Sequence, residues 1–578
     1  MIKHFSLLTL ALFTLTIQAQ TSTKLEKDPG YQAYQNLYPN KQIEAEGAYL
    51  NGLEHGKWSF YYDNGVVKQI ANYLMGKYEG QVTYFYPNGK KKDDGFFHLD
   101  KREREYVSYN SNGNIKIQGS FKLDKRDGHW ISYYENGQKK WEGNYKNNVK
   151  DSLFTYTYLD GGKFKKVFHR AGLDSLLEAW NQKGEQTVVN GAGTLMEFYM
   201  GGEPKSEIIY TNGKPEGATK KWYRNGSKWI VSNYVAGTLN GTYLLYYNND
   251  QVQDSTNYID GKEHGEFYQF DADGKKVSQG FFNTGVEDSL WSWYEKGNKI
   301  IDGEFDMGAR TGKWSFYFPA TGKVEHYAHY IEDLKIKEWT YFYKGGQVLK
   351  TVNFENNLRN GPYAVFFPDG NKSKVGQFEH DEEDGHWTEW YESGKVKTEG
   401  EFENGLMDGK WEGYYRNGVA KYITFYTNNM KNGSFIQYYK NGKTGIKGSY
   451  KNDAKVGEWT DWHDKGATLR QKGSYKIISK KKAIRKGVLG KVRGTTAESI
   501  SIKDGLWYTY FDGQMDAISL ITPYSNGKIH GKMIQYYSNG KIKSKAKFVK
   551  GIKHGKMKVY AKNGDLIKTL KFKNNQQQ

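Results

Sequence analysis

Bulky aromatic residues return along this chain at a fixed interval of 24 residues, separated by polar stretches and glycine. A clear copy of the unit reads Tyr49-Leu50-Asn51-Gly52-Leu53-Glu54-His55-Gly56-Lys57-Trp58-Ser59-Phe60-Tyr61-Tyr62-Asp63-Asn64-Gly65. The glycine before Lys57-Trp58 serves as an anchor. It recurs at Gly193, Gly217, Gly241 and Gly265, and again at Gly361, Gly385, Gly409, Gly433 and Gly457. A lone aromatic stands seven residues before the anchor, as at Tyr73, Phe121, Tyr145, Phe378 and Tyr450. Two residues after it come Trp58, Trp130, Trp314, Trp387, Trp411, Trp459 and Trp507. Five after it come Tyr61, Tyr133, Trp390, Tyr414 and Trp462.

Each unit reads as two antiparallel strands. The first carries Trp-x-x-Tyr-Tyr and ends in an Asn-Gly pair; the second carries the lone aromatic, as in Lys68-Gln69-Ile70-Ala71-Asn72-Tyr73. Asn64-Gly65, Asn136-Gly137, Asn225-Gly226 and Asn417-Gly418 read as type I′ turns, in which both central residues take positive φ. A looser connection leads into the next unit. Alternation along the first strand puts the Trp and the second Tyr on one face and the first Tyr on the other. A unit has only three or four aromatics to set against the entropy of ordering its backbone, so neighbours must stack their rings into continuous ladders. The pattern therefore predicts an all-β fold, an elongated antiparallel β-hairpin repeat array in a single-layer twisted sheet, with about 21 units of 24 residues. The ladder residues expected to hold it are the Trp, Tyr and Phe residues named above.

Composition agrees. Tyr reaches 48, Gly 67 and Trp 16 against only 9 Pro, which suits short strands and tight turns. The mean hydropathy of −0.85 would suit a disordered chain, but 16% aromatic residues supply burial that disordered chains lack. There is no cysteine, so the fold does without disulfides. Residues 1–19 read as a signal peptide: Lys3 and His4, an apolar run from Phe5 to Ile17, then Ile17-Gln18-Ala19 for cleavage. That run falls short of the ~20 residues a spanning helix needs. The expected location is periplasmic, outer-surface or extracellular. A formal charge of +19 favours an anionic envelope component such as a glycan or lipid headgroup, or else serves as a solubilising coat.

Two regions break the rhythm. Around Asp151-Ser152-Leu153, Asp174-Ser175-Leu176 and Asp288-Ser289-Leu290, Asp-Ser is expected to replace the anchor glycine. Residues 476–504 hold a basic stretch, and Lys480, Lys481, Lys482, Arg485 and Lys486 form the candidate anion-binding site. Because Gly457 and Gly505 lie 48 residues apart, twice the period, the stretch reads as a degenerate repeat with an enlarged loop or as an insertion. The resulting organisation is signal peptide 1–19, lead-in 20–46, repeat blocks 47–190, 191–475 and 505–573, and the basic segment 476–504.

Catalytic chemistry is not expected. Of 13 histidines, His55, His264, His530 and His554 precede anchors and His129 and His386 follow them, which marks them as turn residues. His326 and His329 form a close pair, expected on opposite faces with no third ligand. No phosphate-cradling loop, nucleophile elbow or metal-binding carboxylate pattern is present, and no cofactor is expected. Nucleic acid is not an expected partner, since stacking bases would need aromatics arranged to receive them.

The recurring Gly-x-Trp-x-x-Tyr-Tyr-x-Asn-Gly resembles the MORN repeat, in its bacterial variant, over residues 47–573. The resemblance implies a single-layer sheet of hairpins serving as a scaffold, a dimerisation module or a phospholipid-associating surface. For the bacterial variant it also implies the antitoxin component of a toxin–antitoxin pair. The sequence thus supports an exported, non-enzymatic binding or scaffolding surface for a protein or an anionic envelope component. A carbohydrate- or cell-wall-binding aromatic repeat and the antitoxin role stand as alternatives.

Overall fold

The computed structural model describes residues 30–464, 468–485 and 492–578, without the side chains of residues 481–497. The signal segment 1–19 and the beginning of the lead-in lie outside the described residues. Among the described residues there is no helix. The chain divides into two compact units, one ending at Gly274 and the other starting at Lys275. The strands of the first run from Tyr31–Leu37 to Gly265–Phe270, those of the second from Lys276–Asn283 to Gln576–Gln577. Within each unit, strands pair antiparallel with their neighbours in sequence, so the chain meanders as expected.

The two edges of the meander use different turns, and the expected assignment is reversed. At Asn64-Gly65 only the glycine has positive φ, +79°. Tyr62 N–H donates to Val66 O and Gly65 N–H donates to Tyr62 O. This is a type I turn closed by a left-handed glycine, not type I′. Asn136-Gly137, Asn225-Gly226 and Asn417-Gly418 follow the same pattern. Asparagine is there for its side chain: Asn64 Oδ1 accepts the Val66 N–H at 3.1 Å, a local bond that holds the turn. The type I′ turns lie at the opposite edge, where the connection read as loose. There Asn51-Gly52 takes φ +53° and +79°, and Asn147-Asn148 takes +52° and +71°.

The anchor glycine sits inside a strand. Gly56, in Leu53–Tyr61, has φ +71° and pairs with Tyr73 on one side. On the other side the register jumps from Glu46↔Ser59 to Ala48↔His55, a β-bulge. His55 and His129 are therefore strand residues beside a bulge rather than turn residues. Ser152 (φ +66°) and Ser289 (φ +58°) take the anchor's place, as expected from Asp-Ser. Ser175 does not, and pairs regularly with Phe168. Arg104 (φ +59°) and Lys337 (φ +57°) occupy two further anchor positions in place of glycine.

The bulge turns the tryptophan down onto the neighbouring strand, where a glycine two residues before the lone aromatic makes the floor. A Cβ on Gly47 would lie 2.2 Å from the Trp58 ring, and one on Gly119, Gly376, Gly400 or Gly448 would meet Trp130, Trp387, Trp411 or Trp459 at 2.1–2.2 Å. Where the floor carries a side chain, the residue above is usually smaller. Ala71 faces Val82, Ser232 faces Tyr243, Val352 faces Tyr363 and Thr424 faces Phe435. A floor that carries a side chain is in these pairs met by a residue smaller than tryptophan, as close packing favours.

The basic segment is a single extended hairpin. Leu469–Arg485 (17 residues) pairs continuously with Val492–Tyr510 (19 residues), from Gln471↔Thr509 to Arg485↔Val492. Tyr475↔Lys503 and Lys476↔Ile502 hold the register that precedes a two-residue turn elsewhere, so residues 477–501 stand where other units have that turn. The double-period spacing therefore reflects one lengthened hairpin, a repeat unit whose edge turn is enlarged.

Candidate interaction surface

The face carrying the tryptophans is a closed ladder. Trp58, Trp130, Trp314, Trp387, Trp411, Trp459 and Trp507 are at most 7% exposed. Each indole is held edge-to-face by the lone aromatic beside it, as Phe402 and Trp411 show with centroids 5.1 Å apart and planes at 90°. The contact continues into the next unit, where Trp411 meets Tyr426 at 6.3 Å. Indole N–H groups are satisfied by backbone: Trp58 donates to Ala48 O at 3.0 Å and Trp411 to Glu401 O at 3.0 Å.

The residues five after the anchor occupy the other face, as alternation predicts. Tyr61 donates its hydroxyl to Glu46 at 2.6 Å and Tyr414 to Glu399 at 2.7 Å; Tyr133 accepts from Gln118 at 3.1 Å. Trp390 lines a hollow of about 520 Å³ with Phe367, Lys374, Glu389 and Arg416. The Trp462 carbonyl accepts the Tyr439 hydroxyl at 2.7 Å.

That last bond belongs to a rail that sequence reading did not foresee. The second Tyr of each Trp-x-x-Tyr-Tyr donates to a carbonyl one unit further on: Tyr62 to Phe85 O, Tyr134 to Thr157 O, Tyr415 to Tyr438 O, each at 2.8–3.0 Å. A parallel rail of turn amides runs from Asn136 to Leu159 O and from Asn417 to Lys440 O, both at 3.0 Å. At the opposite edge, turn carboxylates and amides accept backbone N–H groups of the preceding unit, as Asp381 does from Arg359 at 2.8 Å. Consecutive units are thus tied at both edges as well as along the strands.

A row of cations covers the ladder from two residues before the anchor. Arg126 lies 4.7 Å from the Trp130 ring, Arg359 4.0 Å from Phe378, Lys455 4.2 Å from Trp459 and Lys503 3.9 Å from Trp507. Some have carboxylate partners. Arg359 reaches Asp381 at 2.9 Å and Arg310 reaches Asp333 at 2.7 Å. The Arg310 guanidinium holds the Asp333 carboxyl below its usual range, and the Arg359 backbone N–H does the same for Asp381. Lys455 is instead pushed below the usual lysine value by burial, and Lys503 by burial with the neighbouring charge of Lys455. Sequence inspection missed this row because lysine is common throughout the chain and only the rings beneath distinguish these copies.

Of the anticipated anion-binding residues, Lys480 is exposed and pairs in register with Glu498. Lys481, Lys482 and Arg485 lie on the same strand, opposite Ala497, Thr496 and Val492, with side chains outside the described residues. Lys486 lies outside the described residues altogether. His326 and His329 do not converge. His326 is sandwiched by Phe316 at 4.0 Å and Tyr341 at 4.9 Å, while His329 Nδ1 lies 3.0 Å from Glu338 O. Burial, helped by Lys350, lowers the His326 pKa to about 4. Among the described residues no group of three His, Asp or Glu side chains could hold a metal ion, and no helix is long and apolar enough to cross a membrane.

With the repeat geometry in hand, comparison with family models gives eight matches to the MORN repeat variant. They fall at residues 54–74, 78–98, 126–147, 263–284, 383–404, 407–428, 529–550 and 553–574. The chain is a MORN-repeat protein. The matched spans start within the anchor strand and end past the lone aromatic, so each holds a ladder rung of this MORN array with its edge turn. No curated protein matches the sequence. Among solved structures, the crystal structure of TcdB2-TccC3-Cdc42 is similar at 11% identity with a TM-score of 0.13, covering 90% of this chain and 30% of that one. The crystal structure of TcdB2-TccC3 is similar at 10% identity and the same TM-score, covering 94% and 31%. The chain spans about a third of the length of these structures, and so low a TM-score carries no argument.

Proposed function

We propose that this MORN-repeat protein is an exported, non-enzymatic scaffold that binds a protein or an anionic envelope component along its repeats. The observation that carries this reading is the row of cations standing at one register position over a buried ladder, repeated from Arg102, Arg126 and Lys150 in the first unit to Lys431, Lys455 and Lys503 in the second. Inter-unit rails fix the spacing of these groups, so a multivalent partner meets them already arranged and little ordering entropy is lost on binding. A net charge of +19 adds long-range attraction for acidic partners. The caged-sugar alternative draws less support, because the rings that would flank a sugar are packed against each other and covered by these cations.

The test is fractionation followed by capture. The mature chain should be found in the envelope or medium, and immobilised full-length protein should retain a component of native envelope extract that high salt releases. Recovery of the mature chain from cytoplasm, or retention of nothing from the envelope, would overturn the proposal.

A further inference from the structure

We infer that Lys455 and Lys503, with Lys431 beside them, form a binding site for a linear acidic polysaccharide on the ladder face of the second unit. This site rests on the proposed binding role and gives its partner a chemistry.

The three lysines occupy the same register position in three successive units. Each ammonium group is set between a ring of its own unit and a ring of the next. Lys431 lies 5.8 Å from Phe435 and 5.3 Å from Tyr450. Lys455 lies 4.2 Å from Trp459 and 5.5 Å from Tyr475, and Lys503 lies 3.9 Å from Trp507 and 5.3 Å from Tyr524. The rings fix where the charges stand. None of the three lysine side chains has a carboxylate ion-pair partner among the described residues, in contrast to Arg310 and Arg359 at the same position.

Nearby acids are engaged elsewhere. Asp504 accepts Lys476 and the Asn526 N–H, Asp453 accepts the Lys431 backbone N–H, and Asp461 is held by Arg470 and Gln471. The side chains of 465–467 and 481–497 include no acid at all. Three half-buried cations thus face outward without an ion-pair partner among the described residues; burial lowers the pKa of Lys455 and Lys503, Asp461 partly offsets this at Lys455, and the charge of Lys455 adds repulsion at Lys503. An anion placed over them offsets that repulsion, which is a driving force for binding that surface lysines lack.

The step between successive units is two strand spacings, about 10 Å. A linear polyanion with acidic groups at about that interval can meet all three lysines in order. A polysaccharide with a carboxylate on every second sugar has this character. Nucleic-acid phosphates are spaced more closely, about 3.4 Å of rise per strand, and would leave most charges unmatched.

The experiment uses the full chain and hyaluronan oligosaccharides, which carry one carboxylate per disaccharide, titrated by calorimetry and by tryptophan fluorescence. Trp459 and Trp507 lie directly under the lysines, so occupancy should change their emission. Lys455→Gln with Lys503→Gln should weaken binding at least tenfold and lower its salt dependence, while the Lys→Arg pair retains it and Lys451→Gln leaves it unchanged. Unaltered circular dichroism keeps the Gln pair interpretable. Equal affinity in the Gln pair overturns the site. So does equal binding of neutral dextran, or lysine-dependent binding of anionic phosphatidylglycerol vesicles without hyaluronan binding. Loss of hyaluronan binding in the unmodified protein while envelope extract is still captured overturns this site and leaves the broader scaffold role standing.

Discussion

Replacing Gly400 by alanine tests the packing rule on which the array depends. The added Cβ would lie 2.2 Å from the Trp411 ring, so one of the two must move. The strand is held on both sides by Trp387↔Gly400 pairing and by the register Glu399↔Glu412, so the ring yields first. One unit shows where it goes. Trp339 sits over Ala328, its plane is inclined 64° to Tyr330 instead of the 90° of Phe402 and Trp411, and its N–H bond to His329 O is 3.3 Å instead of 3.0 Å. That tilt is tolerated there, which places Gly400→Ala toward the low end of the overpacking range of about 1–3 kcal/mol.

Unfolding of a repeat array need not be two-state, so the readout is local as well as global. Amide exchange in strands Val396–Glu403 and Leu406–Tyr414 should accelerate about 5- to 30-fold, corresponding to about 1–2 kcal/mol, with distant units unchanged. Trp411→Val in the same chain reproduces the Ala71–Val82 pair and should recover part of the loss, giving a favourable coupling in the double-mutant cycle. Unchanged exchange in Gly400→Ala, or strictly additive effects in the pair, would refute the volume-matching argument.

Three further outcomes follow from the geometry. Replacing residues 477–501 by Asn-Gly should leave the unfolding midpoint within a few degrees of the parent, because Tyr475↔Lys503 and Lys476↔Ile502 already stand in register for a two-residue turn; an insoluble or broadly unfolding product would contradict the single-hairpin reading. Tyr415→Phe removes the hydroxyl donated to Tyr438 O at 2.8 Å and should destabilise locally by about 0.5–1.5 kcal/mol, seen as faster exchange in the units on either side. His326 is kept neutral with its pKa lowered from 6.5 to about 4, so the stability it lends is complete above about pH 6.5 and is lost as pH falls toward 4. His326→Gln should flatten the stability profile across that interval, and an unchanged profile would show that the buried imidazole does not govern it.

Several features were legible in the residues because they are local or periodic. A spacing of 24, a Trp-x-x-Tyr-Tyr strand and a glycine-bearing turn are enough to require paired hairpins and stacked rings, since no lone unit could bury enough surface to hold itself together. Alternation alone placed Trp58 and Tyr61 on opposite faces.

Other features depended on which backbone groups meet across strands. The same Asn-Gly pair serves a type I turn at one edge and a type I′ turn at the other, and only the hydrogen bonds around Tyr62–Val66 and the φ of Asn51 separate them. The glycine floor under Trp58, Trp411 and Trp507, the rail from Tyr415 to Tyr438 and the seating of Lys455 against Tyr475 and of Lys503 against Tyr524 all join residues eleven to thirty-four positions apart. Composition counts such residues. Distance between them exists only once the strands are in register, and it is distance that decides whether a glycine is a floor, a tyrosine a staple, or a lysine a site.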